Sequence, residues 1–193
     1  MAHAALAAPL ALSLALAGCA TAPPDDGFGA WREARADAVA ALQAQLRREG
    51  VERVLPLPQL LRSASSWQAC GAEPWALPPP AQWPAVVSVL RLVQALREAG
   101  AIGAIEVHSG YREPALNACA GGAPRSAHAL AFAIDFTPTD GRDVAAALCA
   151  FWREQGRDWR MGLGRYASGR IHVDTAGHRA WGAPGGGNPC AAP

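Results

Sequence analysis

The sequence predicts an α+β domain, on three observations. Apolar residues recur at helical spacing through the first half of the chain, short apolar runs of strand length occupy the second half, and one helical stretch separates those runs. Long helices first and strands mixed with a helix later argue against a regular βαβ repeat. The 193 residues suffice for one domain with a substantial core, and no internal repeat is visible.

The first element is not part of that domain. Ala4 to Ala17 is an almost unbroken apolar stretch, the length of a signal-peptide hydrophobic region and too short to span a bilayer comfortably. It ends Leu16-Ala17-Gly18-Cys19, which resembles the bacterial lipobox, although Met1-Ala2-His3 lacks the usual basic residue. The resemblance implies a signal over residues 1–18, cleavage before Cys19 and lipidation of that Cys. Residues 19–28, with Pro23, Pro24, Asp25 and Asp26, then read as the lipidated end and tether, and 29–193 as the domain.

Within the domain, Trp31, Ala38, Leu42 and Leu46 predict a helix from Ala30 to Glu49, stopped by Gly50. Gln59 to Ser66 is read as a short helix, and the Pro- and Trp-rich stretch from Cys70 to Pro84 as ordered but irregular. There Trp67, Trp75 and Trp83 are expected to pack, with a row of sugar-stacking aromatics as the alternative. Pro84 suits a first helical position, and Val86, Val89, Leu90, Val93 and Leu96 form one face of a helix ended by Gly100. Strands are expected at Ile105 to Ser109, Leu130 to Phe136, Met161 to Arg165 and Arg170 to Asp174, with a helix from about Gly141 to Gln155. The run Gly162-Leu163-Gly164 lacks the Lys and following helix of a phosphate loop and is read as a tight approach of two strands. Gly182 to Pro193 has too many Gly and Pro for either element.

Charge narrows the function. All 17 basic residues are Arg, they face 16 acids, and the net charge is +1, so no basic excess is left to neutralise phosphates and nucleic-acid binding is not expected. Setting Cys19 aside leaves Cys70, Cys119, Cys149 and Cys190, an even number in a chain that carries an export signal, so two disulfides are expected. Three pairings are open. Cys70 with Cys119 and Cys149 with Cys190 is preferred, because the second bond would pin the Gly-rich tail to a helix. No C-x-x-C spacing supports a thiolate metal site.

Chemistry concentrates in the second half. His128 precedes Asp135 by seven residues, and His172 lies in Ile171-His172-Val173-Asp174. Two His and one Asp form a sufficient donor set for a catalytic zinc with water in the fourth position, although an isolated His near an Asp is more often a structural hydrogen bond. The surrounding residues decide. Ser109-Gly110-Tyr111-Arg112, Asn117, Gly121-Gly122, Ser126-x-His128, Ala133-x-Asp135 and His172-Val173-Asp174 occur in the order of, and resemble, the zinc D-Ala-D-Ala peptidase family, whose fold is shared with Hedgehog-type domains. The resemblance covers about residues 102–182, with a looser match around Ser66 to Trp83.

That resemblance implies a small antiparallel sheet carrying the site, flanked by helices. It implies one zinc ion held by His128, Asp135 and His172, and Arg112 receiving a carboxylate or carbonyl of the peptide, the alternative for Arg112 being a surface ion pair with an acid such as Glu113. Ser126 and Asn117 would brace the loop carrying His128 at the substrate, and Tyr111 and Tyr166 are candidates to line the pocket. Two departures stand out: Ala131 replaces a customary Gly, and Gly169 occupies the position where several members carry an acidic base three residues before the last ligand. Asp174 is the replacement candidate for that base, since residues two apart on a strand share a face; the alternative is that it orients a ligand. His178 is a candidate for transition-state assistance, and His108 either lines the cleft or forms a structural hydrogen bond.

The function so implied is zinc-dependent hydrolysis of D-amino-acid peptide bonds in peptidoglycan stem peptides, as a D-Ala-D-Ala carboxypeptidase or murein endopeptidase. A catalytically inactive, zinc-containing cell-wall binding protein is the alternative, motivated by Gly169. The partners expected are peptidoglycan peptides, and the membrane through the lipid anchor only, for a monomeric exported protein. Ala20 is not the Asp that would retain a Gram-negative lipoprotein at the inner membrane, so the outer membrane facing the periplasm is the expected location in such a cell.

Overall fold

A computed structural model describes Met1 and residues 27–182 and 187–191. Except for Met1, the expected signal segment lies outside the described residues, as do Cys19 and the tether up to residue 26. Phe28, placed in the tether by sequence, already belongs to the first helix, α1 (Phe28–Glu33). The single helix expected from Ala30 to Glu49 is two, α1 and α2 (Ala36–Arg48). The break has a cause at Arg35, which leaves helical geometry to place its guanidinium over the Trp31 ring, 4.7 Å from the centroid, and to pair with Glu73 at 2.7 Å. The helix expected at Gln59 to Ser66 is only α3 (Leu57–Leu60). Beyond it the backbone turns extended and pairs with the Trp75 segment, Ser63 N–H to Pro74 O and Ala76 N–H to Leu61 O.

The central helix α4 (Trp83–Glu98) buries Val86, Val87, Val89, Leu90, Leu92, Val93 and Leu96, nearly its whole circumference, because it lies between α2 and the sheet. It ends as α2 does. Gly100 and Gly50 take left-handed φ, and the next residues, Ala101 and Val51, donate back to Leu96 and Leu46, so the last carbonyls are satisfied by matching Schellman turns. Two further helices follow: α5 (Pro114–Cys119), which periodicity does not reveal in six residues, and α6 (Ala145–Glu154). Among the described residues, no helix is long and apolar enough to cross a membrane.

The strands are β1 (Ile105–Ser109), β2 (Ala133–Pro138), β3 (Gly162–Arg165), β4 (Ile171–Asp174) and β5 (Arg179–Trp181), in the order β1-β2-β4-β3-β5. The first four pair antiparallel, as expected, and the unforeseen β5 adds to β3 in parallel, making the sheet mixed. β2 starts later than the apolar run at Leu130 indicates, because Ala131 adopts a left-handed φ of 59° within a tight turn from His128 to Phe132. Ile134, Phe136, Leu163, Ile171 and Val173 form the buried face towards α4. The outer edge of β1 is closed by side chains: Gln59 Oε1 accepts from Val107 N–H at 3.1 Å, and Arg62 donates to Val107 O at 2.7 Å.

Cys70 is bonded to Cys119 and Cys149 to Cys190, the preferred pairing. The second bond joins α6 to the chain after β5, across 41 residues. Closing loops of this length removes denatured-state entropy worth about 4 kcal/mol at most, and native removals cost about 2–5 kcal/mol. Replacing both Cys149 and Cys190 by Ser should therefore lower the unfolding free energy by roughly 2–4 kcal/mol, read from the denaturant midpoint at unchanged slope.

Candidate active site

Side chains opposite one another in a sheet register share a face. One such row crosses all five strands as Ser109, Asp135, His172, Gly164 and Trp181. The next runs Ala133, Asp174, Gly162 and Arg179. Both rows lie on the face turned away from α4. The two glycines leave room for these side chains. A Cβ at Gly162 would sit 2.1 Å from Asp174 Oδ2, and one at Gly164 would sit 2.6 Å from the Trp181 ring. The Gly162-Leu163-Gly164 run thus accommodates side chains rather than a close approach of backbones.

His128 reaches this face from the turn before β2. Its Nδ1–H donates to Gly110 O at 2.7 Å, which leaves the Nε2 lone pair facing the row. Gly110 itself is pressed against the chain at Leu60, where a Cβ would meet Leu60 O at 2.7 Å. His128 Nε2 lies 3.1 Å from Asp135 Oδ1 and 3.2 Å from His172 Nδ1, and His172 Nδ1 lies 2.8 Å from Asp135 Oδ1. All three residues are buried. Four-coordinate tetrahedral zinc with bonds of about 2.0–2.1 Å needs donor–donor edges of roughly 3.3 Å, so this triangle of two imidazoles and one carboxylate fits such an ion with little adjustment. The three residues could hold a metal.

The orientation of His172 comes from Asp174. His172 Nε2 lies 2.8 Å from Asp174 Oδ2, on the side of the ring opposite Nδ1. Asp174 also takes both arms of Arg179, at 3.0 and 2.7 Å, and the Ala176 N–H at 2.7 Å. The Asp174 carboxylate is therefore saturated and separated from the donor triangle by the His172 ring. The expectation that it is the general base is corrected: its position is that of a residue orienting a ligand. Gly169 shows why no acid stands at the other candidate position, since it closes the β3–β4 hairpin with a φ of 83°, a conformation that side chains other than Gly rarely adopt.

The remaining expected residues divide. Arg112 is beside the triad, but it donates to Asp135 Oδ2 at 2.9 Å and to Ser109 Oγ at 2.8 Å, so its first role is to hold that carboxylate. The ion pair weighed for it is made with Asp135 inside the site and not with Glu113 at the surface. Ser126 accepts from the His128 backbone N–H at 3.3 Å, and buried Asn117 donates to Ala123 O at 2.9 Å; both brace the His128 loop, and neither side chain is seen to contact the triad. Tyr111 packs against the core in a crevice with Leu60, Pro78 and Val86. His178 is corrected as well: it stacks on Trp152 of α6, with centroids 4.2 Å apart, and its Nε2 lies 3.2 Å from the Trp152 carbonyl.

Two contributors were missed. Trp181 packs on the His172 ring, with centroids 5.0 Å apart, and Arg179 holds Asp174. Both lie on β5, whose three residues give no periodicity; the alternation Arg179-x-Trp181 acquires meaning only from the register with β3.

Charge follows the geometry. Burial pushes the Asp135 carboxyl up, but the His128 and His172 imidazoles close beside it outweigh burial and hold the group well below the ordinary carboxylate range. Burial likewise opposes ionisation of Asp174 and is outweighed by His172, Ala176 and Arg179, so its pKa is also lowered. For the imidazoles burial favours the neutral form. It prevails at His128, whose pKa is lowered; at His172 the flanking Asp135 and Asp174 overcome it and raise the pKa.

Carboxyls held low in the folded chain contribute stability above about pH 4 that is lost as pH falls through their folded values. Acid titration of the metal-free protein, followed by circular dichroism, should show that loss, and Asp174→Asn should flatten part of the slope. The same variant should weaken zinc affinity about 10–100-fold in a competition titration with a chromophoric chelator, because a neutral amide with a donor of its own replaces the carboxylate that orients His172. Unchanged zinc affinity would restore Asp174 as a candidate base.

Neither a curated protein nor a solved structure matches the chain. A family model described as peptidase M15 matches residues 58–174, more than half of the sequence, from within α3 to Asp174 itself. With His128, Asp135 and His172 all inside that match, the chain belongs to the peptidase M15 family.

Proposed function

We propose that this peptidase uses one zinc ion to hydrolyse D-amino-acid peptide bonds in peptidoglycan stem peptides, as a D-Ala-D-Ala carboxypeptidase or a murein endopeptidase. The observation that carries the reading is the buried triangle of His128 Nε2, Asp135 Oδ1 and His172 Nδ1 in a chain of this metal-dependent family. When bound, zinc supplies Lewis acidity at a peptide carbonyl and activation of water.

The protein's own residues supply position and field. The Gly110 carbonyl fixes the tautomer of His128, and the Asp174–Arg179 pair fixes that of His172, so both present lone pairs inward. Arg112 holds Asp135 Oδ2 and leaves Oδ1 to the donor triangle. Its Nη1 makes no hydrogen bond among the described residues, and it is assigned here to the carbonyl oxygen on which negative charge develops. Tyr166, half-exposed in the β3–β4 turn, lies close enough to feel the charges of Asp135 and Arg112, and it borders the mouth. In this reading the protein is a monomer, exported and anchored through a lipid on Cys19, at the outer membrane facing the periplasm in a Gram-negative cell.

The test is mass spectrometry of defined muropeptides, monomeric and crosslinked, incubated with the zinc-loaded protein, a chelator control and the His172→Ala variant. Expected is chelator-sensitive loss of a terminal D-Ala or splitting of a crosslink, abolished in His172→Ala. Survival of both substrates with a folded, zinc-loaded protein would reject hydrolysis and favour the cell-wall binding alternative. Arg112→Met should lower kcat by about 10²–10³-fold through the lost oxyanion donor.

A further inference from the structure

A second polar surface adjoins the triad on the same face of the sheet. Thr137 and Arg170 lie two residues along the chain from Asp135 and His172, so their side chains leave that face about 7 Å from the donor row. His108, at the β1 bulge, joins them through Nε2, 2.8 Å from Thr137 Oγ1. Arg170 reaches across to the opposite wall, donating to Ser65 Oγ at 2.7 Å. Ser65 and His108, the partners of Arg170 and Thr137, both line a cavity of about 350 Å³ together with Arg62, Trp67 and Trp75, so Arg170 stands at the border of that cavity.

The charges in this cleft do not cancel. Arg62 is paired with Glu106 at 2.9 Å, whereas Arg170 has no carboxylate within ion-pair distance among the described residues. The field is felt at His108, whose pKa is lowered by burial and then by Arg170. A guanidinium held by a single hydroxyl at the border of a cleft, with no carboxylate paired to it, suits an incoming carboxylate.

We propose that this cleft is the subsite for a carboxylate of the substrate peptide, gripped by Arg170 and His108 and flanked by Trp67, about one residue away from the cleaved bond. The proposal rests on the peptidase reading above and reassigns substrate carboxylate recognition from Arg112, which is engaged with Asp135, to Arg170. The carboxylate has two possible sources, the peptide's own C-terminus or an acidic side chain one residue before the cleaved bond. Trp67, on the wall, supplies an apolar flank for the adjoining peptide backbone.

The experiment is calorimetric binding of three peptides to the zinc-loaded protein, each ending in D-Ala-D-Ala and N-methylated at the cleavable amide. One ends in a free acid, one in a terminal amide, and one in a terminal amide with a glutamate immediately before the D-Ala-D-Ala pair. At least one acidic peptide should bind ten-fold or more tightly than the neutral amide, and the one that does identifies the source. Arg170→Met should abolish that preference, and Arg170→Lys should restore most of it. Equal binding of all three peptides, or a preference that persists in Arg170→Met, overturns the subsite. A preference that disappears in Arg112→Met and persists in Arg170→Met overturns it in favour of Arg112. Cleavage of the unmethylated peptides is read separately. No cleavage with the preference intact rejects hydrolysis and keeps the subsite, whereas cleavage without preference rejects the subsite alone.

Discussion

Asp174 is a charge without contact to solvent, and much of the sheet is organised around keeping it ionised. An unpartnered buried carboxylate costs several kcal/mol, so it persists only when each lone pair is met. Here Arg179 supplies a two-armed ion pair, Ala176 a backbone N–H and His172 a ring N–H. Each supplier imposes a structural demand. Arg179 requires a fifth strand, delivered in parallel beside β3; the carboxylate requires a residue without a side chain opposite, which is Gly162; and the His172 ring is boxed by Trp181, which requires Gly164. The donor triangle is thus the outward end of a chain of constraints that begins at a residue outside the triangle.

The elements that were legible in the sequence are those with enough residues to show a period. The face Val86-Val89-Leu90-Val93-Leu96 announced α4, and Gly50 and Gly100 announced the ends of two helices because their turns demand it. His128, Asp135 and His172 were legible because motif residues in a fixed order surround them. What escaped depends on contacts between distant segments. The break at Arg35 is caused by Glu73, 38 positions away, and β5 exists only as a register against β3. The direction of the Asp174 carboxylate was likewise invisible: sharing a face with His172 was correct, yet which nitrogen it meets depends on Arg179.

The departures from the family pattern have local reasons. Ala131 adopts the left-handed conformation that explains a Gly at this position, a strain of about 1–2 kcal/mol that burial of its methyl group partly offsets. Gly169 meets the same conformational demand in a hairpin four residues long, Tyr166 to Gly169, so an acid there would act against the turn. Tyr166 and Arg170 stand opposite each other at the base of this turn, the Tyr166 N–H donating to the Arg170 carbonyl.

One border of the sheet is capped and the other is short. On one side, Gln59 and Arg62 occupy the outward N–H and C=O of Val107; on the other, β5 ends after three residues, before the disulfide at Cys190 returns the chain to α6. Unpaired strand edges are templates on which a second chain can add, and short or covered edges suppress that addition. At high local concentration an open edge would invite association between copies; here a capped border and a three-residue edge strand leave little for a second chain to pair with.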